Sequence, residues 1–224
     1  MHILSNKDEQ KVFVPFVTTA GKYCVHVTLG VGNDIEAERK LRSVYPLCRL
    51  YGADPSKDGG GIFKQVGRFF LTAVGAKTGR MTTNVIIPAK RPADFSPYVR
   101  RNVASVSFEE FVQQFVRESI VDFLWIDIEG GEYQLMPEFA TNGSAMANGV
   151  VICQINVEFH YPFNKFRTSE AHFRRLTLRL LESSDFIPLY ATNYLGQIRM
   201  FWFNRVAPQC LKKFVHFRRN DIIE

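Results

Sequence analysis

Apolar positions in this chain fall into short β-type runs that alternate with helical periods. Residues 23–29 form a β-branched run that stops at Gly30-Val31-Gly32, and residues 35–44 then read as a helix. A second strand covers 48–54 and ends at Asp54-Pro55. Gly59-Gly60-Gly61 and a short helix near 62–66 lead to a third strand at 68–74. Residues 75–105, with Pro88, Pro92 and Pro97, lack a clear period. They read as an irregular insertion holding a short extended piece at 84–87. Ser107-Phe108-Glu109-Glu110 is a capping box ahead of Phe111, Val112, Phe115 and Val116. The helix it opens feeds a strand at 123–126.

A helix or turn at 133–148 precedes a fifth apolar strand, 150–157, which ends in Glu158-Phe159-His160. Residues 169–183 read as a helix with Phe173, Leu176, Leu180 and Leu181 on one face. Two β-rich runs, 186–194 and 198–204, joined by Leu195-Gly196-Gln197, predict an antiparallel hairpin. Alternating strands and helices predict βαβ units and a parallel sheet, here closed by a hairpin.

The 224 residues, 46% of them apolar, suit one α/β domain with a large core. We divide the chain into a single domain, 1–224, with its core at about 20–205 and a basic tail at 206–224. No uncharged apolar run is long enough to span a bilayer, and the first ten residues lack the apolar stretch of a leader. The net charge of +6 is scattered, as on a solvated surface. Only the stretch around Lys212, Lys213, Arg218 and Arg219 has the basic and aromatic mix of a nucleic-acid contact, so no nucleic-acid partner is expected.

Cys24, Cys48, Cys153 and Cys210 show no CxxC or metal-type spacing. Cys24 and Cys153 sit inside apolar strands and read as small core residues, so nothing demands an oxidising compartment. The cytoplasm is favoured for the chain as given, and a lumenal or secreted placement follows if a further N-terminal segment precedes it. One sequon, Asn142-Gly143-Ser144, lies in a turn-rich stretch.

Three strand ends carry the candidate chemistry. Gly30 and Gly32 allow positive φ and close approach of a ligand. The full G-x-G-x-x-G is absent, since Ile35 stands at its last position. Asp54, 24 residues beyond Gly30, is placed to accept hydrogen bonds from ribose hydroxyls, or is an Asp-Pro turn starter. Asp127 and Glu129 end the strand at 123–126, followed by Gly130, Gly131 and Glu132, where an acidic turn is the plainer alternative. His160 is the candidate general base, because an ordinary imidazole titrates near neutrality; a structural histidine is the alternative. Asp127 or Glu129 could serve instead if burial raises their pKa, or could hold a divalent metal with Glu158. Glu132 suits orientation of backbone amides or helix capping better than catalysis.

Leu29-Gly30-Val31-Gly32-Asn33, Tyr51-Gly52-Ala53-Asp54-Pro55 and Trp125-Ile126-Asp127-Ile128-Glu129-Gly130-Gly131-Glu132-Tyr133 together resemble the FkbM-type family of class I S-adenosylmethionine-dependent methyltransferases. Gln154-Ile155-Asn156-Val157-Glu158-Phe159-His160 and the terminal hairpin add to the likeness, which spans about 20–205. The wording is nearest to divergent FkbM-like proteins of nematodes. The resemblance implies a Rossmann-like seven-stranded mixed sheet of order 3-2-1-4-5-7-6, S-adenosylmethionine as cofactor, and an oxygen nucleophile on a sugar or small molecule as acceptor. Carried over by position, Gly30, Val31 and Gly32 would border the methionine part. Asp54 with Pro55 would hold the ribose, Ala73 and Val74 would flank the adenine, and Asp127 and Glu129 would lie near the sulfonium and the acceptor. Many members have Gly-Ala-Asn in the first turn and Ala at the place of Gly131. A catalytically silent fold that binds a partner protein is the alternative from another class, motivated by that altered turn, the phenylalanine content and the basic tail. A nucleotide-dependent reductase is disfavoured by the incomplete glycine fingerprint and the hairpin.

Overall fold

The computed structural model describes residues 1–5, 10–17, 23–86, 98–160, 170–194 and 196–216. An N-terminal hairpin, β1 (His2–Ser5) and β2 (Gln10–Phe13), precedes the first sheet strand, β3 (Cys24–Leu29). Then follow α1 (Glu36–Val44), β4 (Cys48–Asp54), α2 (Lys57–Gly60), a 3-10 turn at Gly61–Gln65 and β5 (Arg68–Leu71). β6 (Ala73–Gly75), β7 (Gly79–Ile86) and β8 (Tyr98–Ser107) come next, then α3 (Phe108–Glu110), which continues as a π-helical turn at Phe111–Val116. β9 (Ile120–Val121) and β10 (Phe123–Ile126) lead to α4 (Glu132–Leu135), a 3-10 turn at Met136–Phe139 and α5 (Ser144–Ala147). β11 (Val151–Ile152), β12 (Gln154–Phe159), α6 (Glu170–Ser183), β13 (Phe186–Tyr194), β14 (Gln197–Asn204) and α7 (Pro208–Phe214) complete the described chain.

Seven strands form the central sheet in the order β13-β14-β12-β10-β3-β4-β5. Numbered within the sheet by chain order, this reads 6-7-5-4-1-2-3, the mirror listing of 3-2-1-4-5-7-6. β3, β4, β5, β10 and β12 are mutually parallel, and β14 alone runs against its neighbours. All six residues of β3 are buried because both faces of the sheet are covered. Val25, Val27 and Leu29 enter a core with Phe108, Phe111, Leu135 and Leu176. Cys24, on the other face, joins Phe16, Leu41, Phe63 and Phe214. The period of two thus splits one apolar run between two cores.

The N-terminal hairpin is gripped by side chains rather than by the sheet. Asn156 and Gln154 on β12 each pair with a backbone N–H and C=O of residues 12 and 14, at 2.7 to 3.0 Å. Buried amides satisfied on both ends in this way fix the segment in place.

Several sequence expectations change. The stretch at 68–74 is broken at Thr72: β5 belongs to the central sheet, whereas β6 pairs with β8 in a separate three-stranded sheet. The supposed irregular insertion holds the long antiparallel pair of β7 and β8; residues 87–97 lie outside the described residues. The capping box is half formed. Ser107 Oγ accepts from Glu110 N at 3.2 Å, but Glu110 bonds Thr78, whose hydroxyl accepts from Ser107 N at 2.8 Å. Leu181 is exposed, unlike Leu176 and Leu180. Within the basic tail, Cys210 and Phe214 of α7 are core residues, and Lys213 Nζ lies 2.6 Å from the buried Asp122. Residues 217–224 lie outside the described residues.

The cysteines differ most from expectation. Cys24 and Cys153 are fully buried, but Cys24 is bonded to Cys48 and Cys153 to Cys210. The first cystine joins direct neighbours on β3 and β4, and the second ties the start of β12 to α7. No helix among the described residues is long and apolar enough to cross a membrane.

Candidate active site

The parallel strands end along one edge of the sheet, and a cavity of about 700 Å³ opens there. Ligands bind at this edge in open α/β sheets, where strand order reverses and neighbouring loops part. Gly30, Val31, Gly32, Asp54, Pro55, Ala73, Val74, Asp127, Glu129, Glu158 and His160 all line this one cavity.

The first turn owes its shape to Gly30. Its φ is +78°, and a Cβ there would stand 1.7 Å from the Asp127 carbonyl oxygen, inside the neighbouring strand end. Gly30 N donates to Ala53 O, and Asp127 N donates to Leu29 O, both at 2.9 Å, so three strand ends are stitched at this point. The Asp54 carboxylate continues the stitching: it accepts from Val31 N at 3.0 Å and Ser56 N at 2.6 Å. Burial pushes its pKa up, against the lowering effect of the amides of Ser56, Val31 and Gly32. Asp54 is therefore a brace for the glycine turn as well as an acceptor facing the cavity.

Asp127, Glu129 and His160 meet beside this turn, at the ends of β10 and β12. His160 Nε2 lies 3.5 Å from Asp127 Oδ1 and 3.5 Å from Glu129 Oε2. Its Nδ1 lies 3.1 Å from Glu132 Oε1. Glu129 reaches this place from a left-handed backbone, φ +56°, uncommon for a residue with a side chain and a form of local strain found at functional sites. The fully buried Glu132 holds the loop that bears it, accepting from Ile128 N and Gly130 N, each at 2.8 Å.

The premise that made His160 a near-neutral base does not hold in this setting. Burial alone would push its pKa down. The hydrogen bond and charge of Glu132, then the charges of Asp127 and Glu129, outweigh burial and raise the value to about 10. Three carboxylates around the ring thus favour its protonated form over the neutral one. Asp127, Glu158 and His160 also offer one ligand atom each within 4.8 Å of one another, a spacing that suits a divalent cation in place of the His160 proton. Arg199, directly across the β12–β14 register from Glu158, pairs with that carboxylate and supplies positive charge of its own.

Some lining groups carried no sequence signal. Lys11 reaches the cavity from the gripped N-terminal hairpin, and Met81, Thr83 and Asn84 reach it from β7. Glu38 on α1 looks like a solvated helix residue, yet it is buried and accepts from Thr28 Oγ1 at 2.9 Å. Thr28 in turn lies 2.8 Å from Nε2 of His26, whose pKa is lowered to about 3 by burial and by the Lys11 charge. A buried polar residue two places before the glycine turn was the one available hint.

The residues suit an adenosyl ligand. Gly32 leaves its wall bare, with no heavy atom within 4 Å of where a Cβ would stand. Asp54 offers carboxylate oxygens for hydroxyls, and Ala73 and Val74 offer an apolar flank. A crevice of this kind at the strand ends is what an S-adenosylmethionine-dependent methyltransferase requires. The chain belongs to the methyltransferase FkbM domain family, whose model matches residues 6–194. None of the curated proteins matches it. Among solved structures it is similar to a putative rRNA methylase from Clostridium thermocellum, at 12% identity and TM-score 0.44, covering 80% of this chain and 88% of that one. It is also similar to human methyltransferase 10 domain containing protein, at 8% and 0.43, covering 84% and 74%. TrmK of M. capricolum, solved with S-adenosyl-homocysteine, matches at 10% and 0.39, covering 88% and 66%.

Proposed function

We propose that this chain transfers a methyl group to a hydroxyl of a sugar or small molecule. The observation that carries this reading is the cluster of Asp127, Glu129 and His160 on the wall of the cavity that also holds the glycine turn and Asp54. S-adenosylmethionine supplies an electrophilic methyl group on a sulfonium. The acceptor oxygen must lose its proton as it bonds to that carbon, so a base has to stand beside it.

With His160 held protonated by Glu132, the basic groups facing the acceptor are the carboxylates of Asp127 and Glu129. His160 then orients them, and its charge balances theirs. The carboxylates also favour a sulfonium cation nearby, and the braced glycine turn keeps the two reactants aligned.

Isothermal titration and product mass spectrometry test this reading together. We expect S-adenosylmethionine to bind the purified protein, and a hydroxyl acceptor from a panel of glycans and small alcohols to gain one methyl group. At saturating cofactor, Asp127→Asn should lose at least about tenfold in rate, the low side of typical general-base contributions. Absence of binding at about millimolar ligand, the weak limit of specific affinity, would sink the proposal.

A further inference from the structure

All four cysteines are paired, and neither cystine belongs to the cavity. Cys24 and Cys48 are Cα partners, 4.3 Å apart, at the first residues of two adjacent parallel strands of the central sheet. Cys153 and Cys210 join strand to terminal helix across 57 residues, with Cα atoms 5.1 Å apart. All four lie in one core layer, closed to solvent apart from slight exposure at Cys48. Two such links in one small chain are a feature of proteins that mature under oxidising conditions, since reducing compartments keep thiols free.

A second feature points the same way independently. Asn142-Gly143-Ser144 has the acceptor pattern for N-linked glycosylation, with no proline in the middle place. Asn142 is exposed in a turn between the 3-10 turn at Met136–Phe139 and α5. That turn sits where strands begin. Thr141 N donates to the carbonyl of Ser183 at the end of α6, just ahead of β13, and Val151 N donates to Ser119 O, just ahead of β9. The cavity lies at the other end of the strands. A bulky group on Asn142 would stand clear of it.

We infer that the chain matures in an oxidising, glycosylating compartment, where both cystines form and Asn142 carries an N-linked oligosaccharide. Each cystine forms as two thiols give two electrons and two protons to the disulfide of a thiol oxidoreductase, which leaves as a dithiol. At Asn142 the side-chain nitrogen bonds to the anomeric carbon of a lipid diphosphate-linked oligosaccharide. The bond from that carbon to the phosphate oxygen breaks, the lipid diphosphate leaves, and the amide gives up a proton. This inference does not rest on methyl transfer and stands whether or not the acceptor is a hydroxyl.

The test uses full-length protein isolated from the cells that produce it. Thiols are capped with a maleimide under denaturing conditions before and after reduction, and the peptide bearing Asn142 is weighed before and after an amide-cleaving N-glycosidase. We expect no cysteine to be capped before reduction and all four after it. The glycosidase should remove a glycan and leave Asp at that position. In recombinant secreted protein, Asn142→Gln and Ser144→Ala should each abolish the glycan while leaving S-adenosylmethionine affinity within twofold. Capping of all four cysteines without reduction overturns the inference. So does a bare Asn142 in a chain whose cystines are intact.

Discussion

Glu132 Oε1 lies 3.1 Å from His160 Nδ1, and the same carboxylate receives the N–H groups of Ile128 and Gly130. One buried side chain thus fixes the loop that presents Glu129 and sets the charge of the histidine facing it. Glu132→Gln keeps the shape but turns one acceptor oxygen into a donor, which cannot receive both amides. An unsatisfied buried N–H costs about 1–3 kcal/mol, so the variant should be less stable by that much in urea unfolding. Its His160 should also titrate lower, visible as an imidazole shift by NMR. An unchanged unfolding midpoint together with an unchanged imidazole pKa would show that Glu132 does neither job.

Two buried histidines pull stability in opposite directions with pH. His160 is raised from 6.5 to about 10, so the folded state holds its proton more tightly than the unfolded chain does. Its contribution is complete below pH 6.5 and fades as pH rises towards 10. His26 is lowered from 6.5 to about 3, so its contribution is complete above pH 6.5 and fades as pH falls towards 3. Stability should therefore peak near pH 6.5 and fall on both sides, by a few kcal/mol at the extremes. Asp54 and Asp122, both raised by burial, soften the acid side. Urea midpoints across pH give the curve; His160→Gln should flatten the alkaline limb and His26→Gln the acid limb. A flat profile in the parent protein would show that these charges are not held as the geometry indicates.

What the sequence disclosed, and what it hid, follows from the range of each force. The run ending at Gly30 was legible because β-branched residues and a positive-φ turn are local features. Asp127 and His160 were legible as strand ends for the same reason, whereas the strand order rested on family likeness, since local periodicity carries no information on which strands pair. The cystines were hidden because spacings of 24 and 57 residues match no motif; only sheet register brings Cys24 beside Cys48. Glu38 was hidden because its burial depends on Thr28, on another element. The β7–β8 pair was obscured by polar residues such as Arg80, Asn102 and Arg100 on its exposed side, which dilute the alternation set by Thr83 and Val85.

The cystines carry a measurable share of stability. Chain-entropy reasoning assigns about 3 kcal/mol to a loop of 24 residues and about 4 kcal/mol to one of 57. Replacing the second pair as Cys153→Ala with Cys210→Ala should also loosen α7. That would expose Phe214 and draw Lys213 away from Asp122, which is buried with that ammonium as its charged partner. Amide exchange in residues 208–214 should accelerate more than tenfold, while β3 and β4 stay protected. Equal acceleration in all elements would show that the cystine does not act locally.

Gly30 and Gly32 both have positive φ, but their surroundings differ, and this separates a folding requirement from a ligand requirement. At Gly30 a Cβ would overlap the Asp127 carbonyl at 1.7 Å, so Gly30→Ala must pry β3 from β10 at the point where their ends are stitched. At Gly32 a Cβ would meet nothing within 4 Å, and the residue lines the cavity. Gly32→Ala should cost only the left-handed backbone term, about 1–2 kcal/mol, and leave the far-ultraviolet dichroism unchanged. Its methyl group would stand in space the cofactor needs, so affinity for S-adenosylmethionine should fall about tenfold or more, equivalent to about 1.4 kcal/mol. Gly30→Ala should instead lose soluble protein or several kcal/mol of stability. If Gly32→Ala binds the cofactor as tightly as the parent, the methionine end does not lie against this turn, and the cavity must be filled from the β7 side instead.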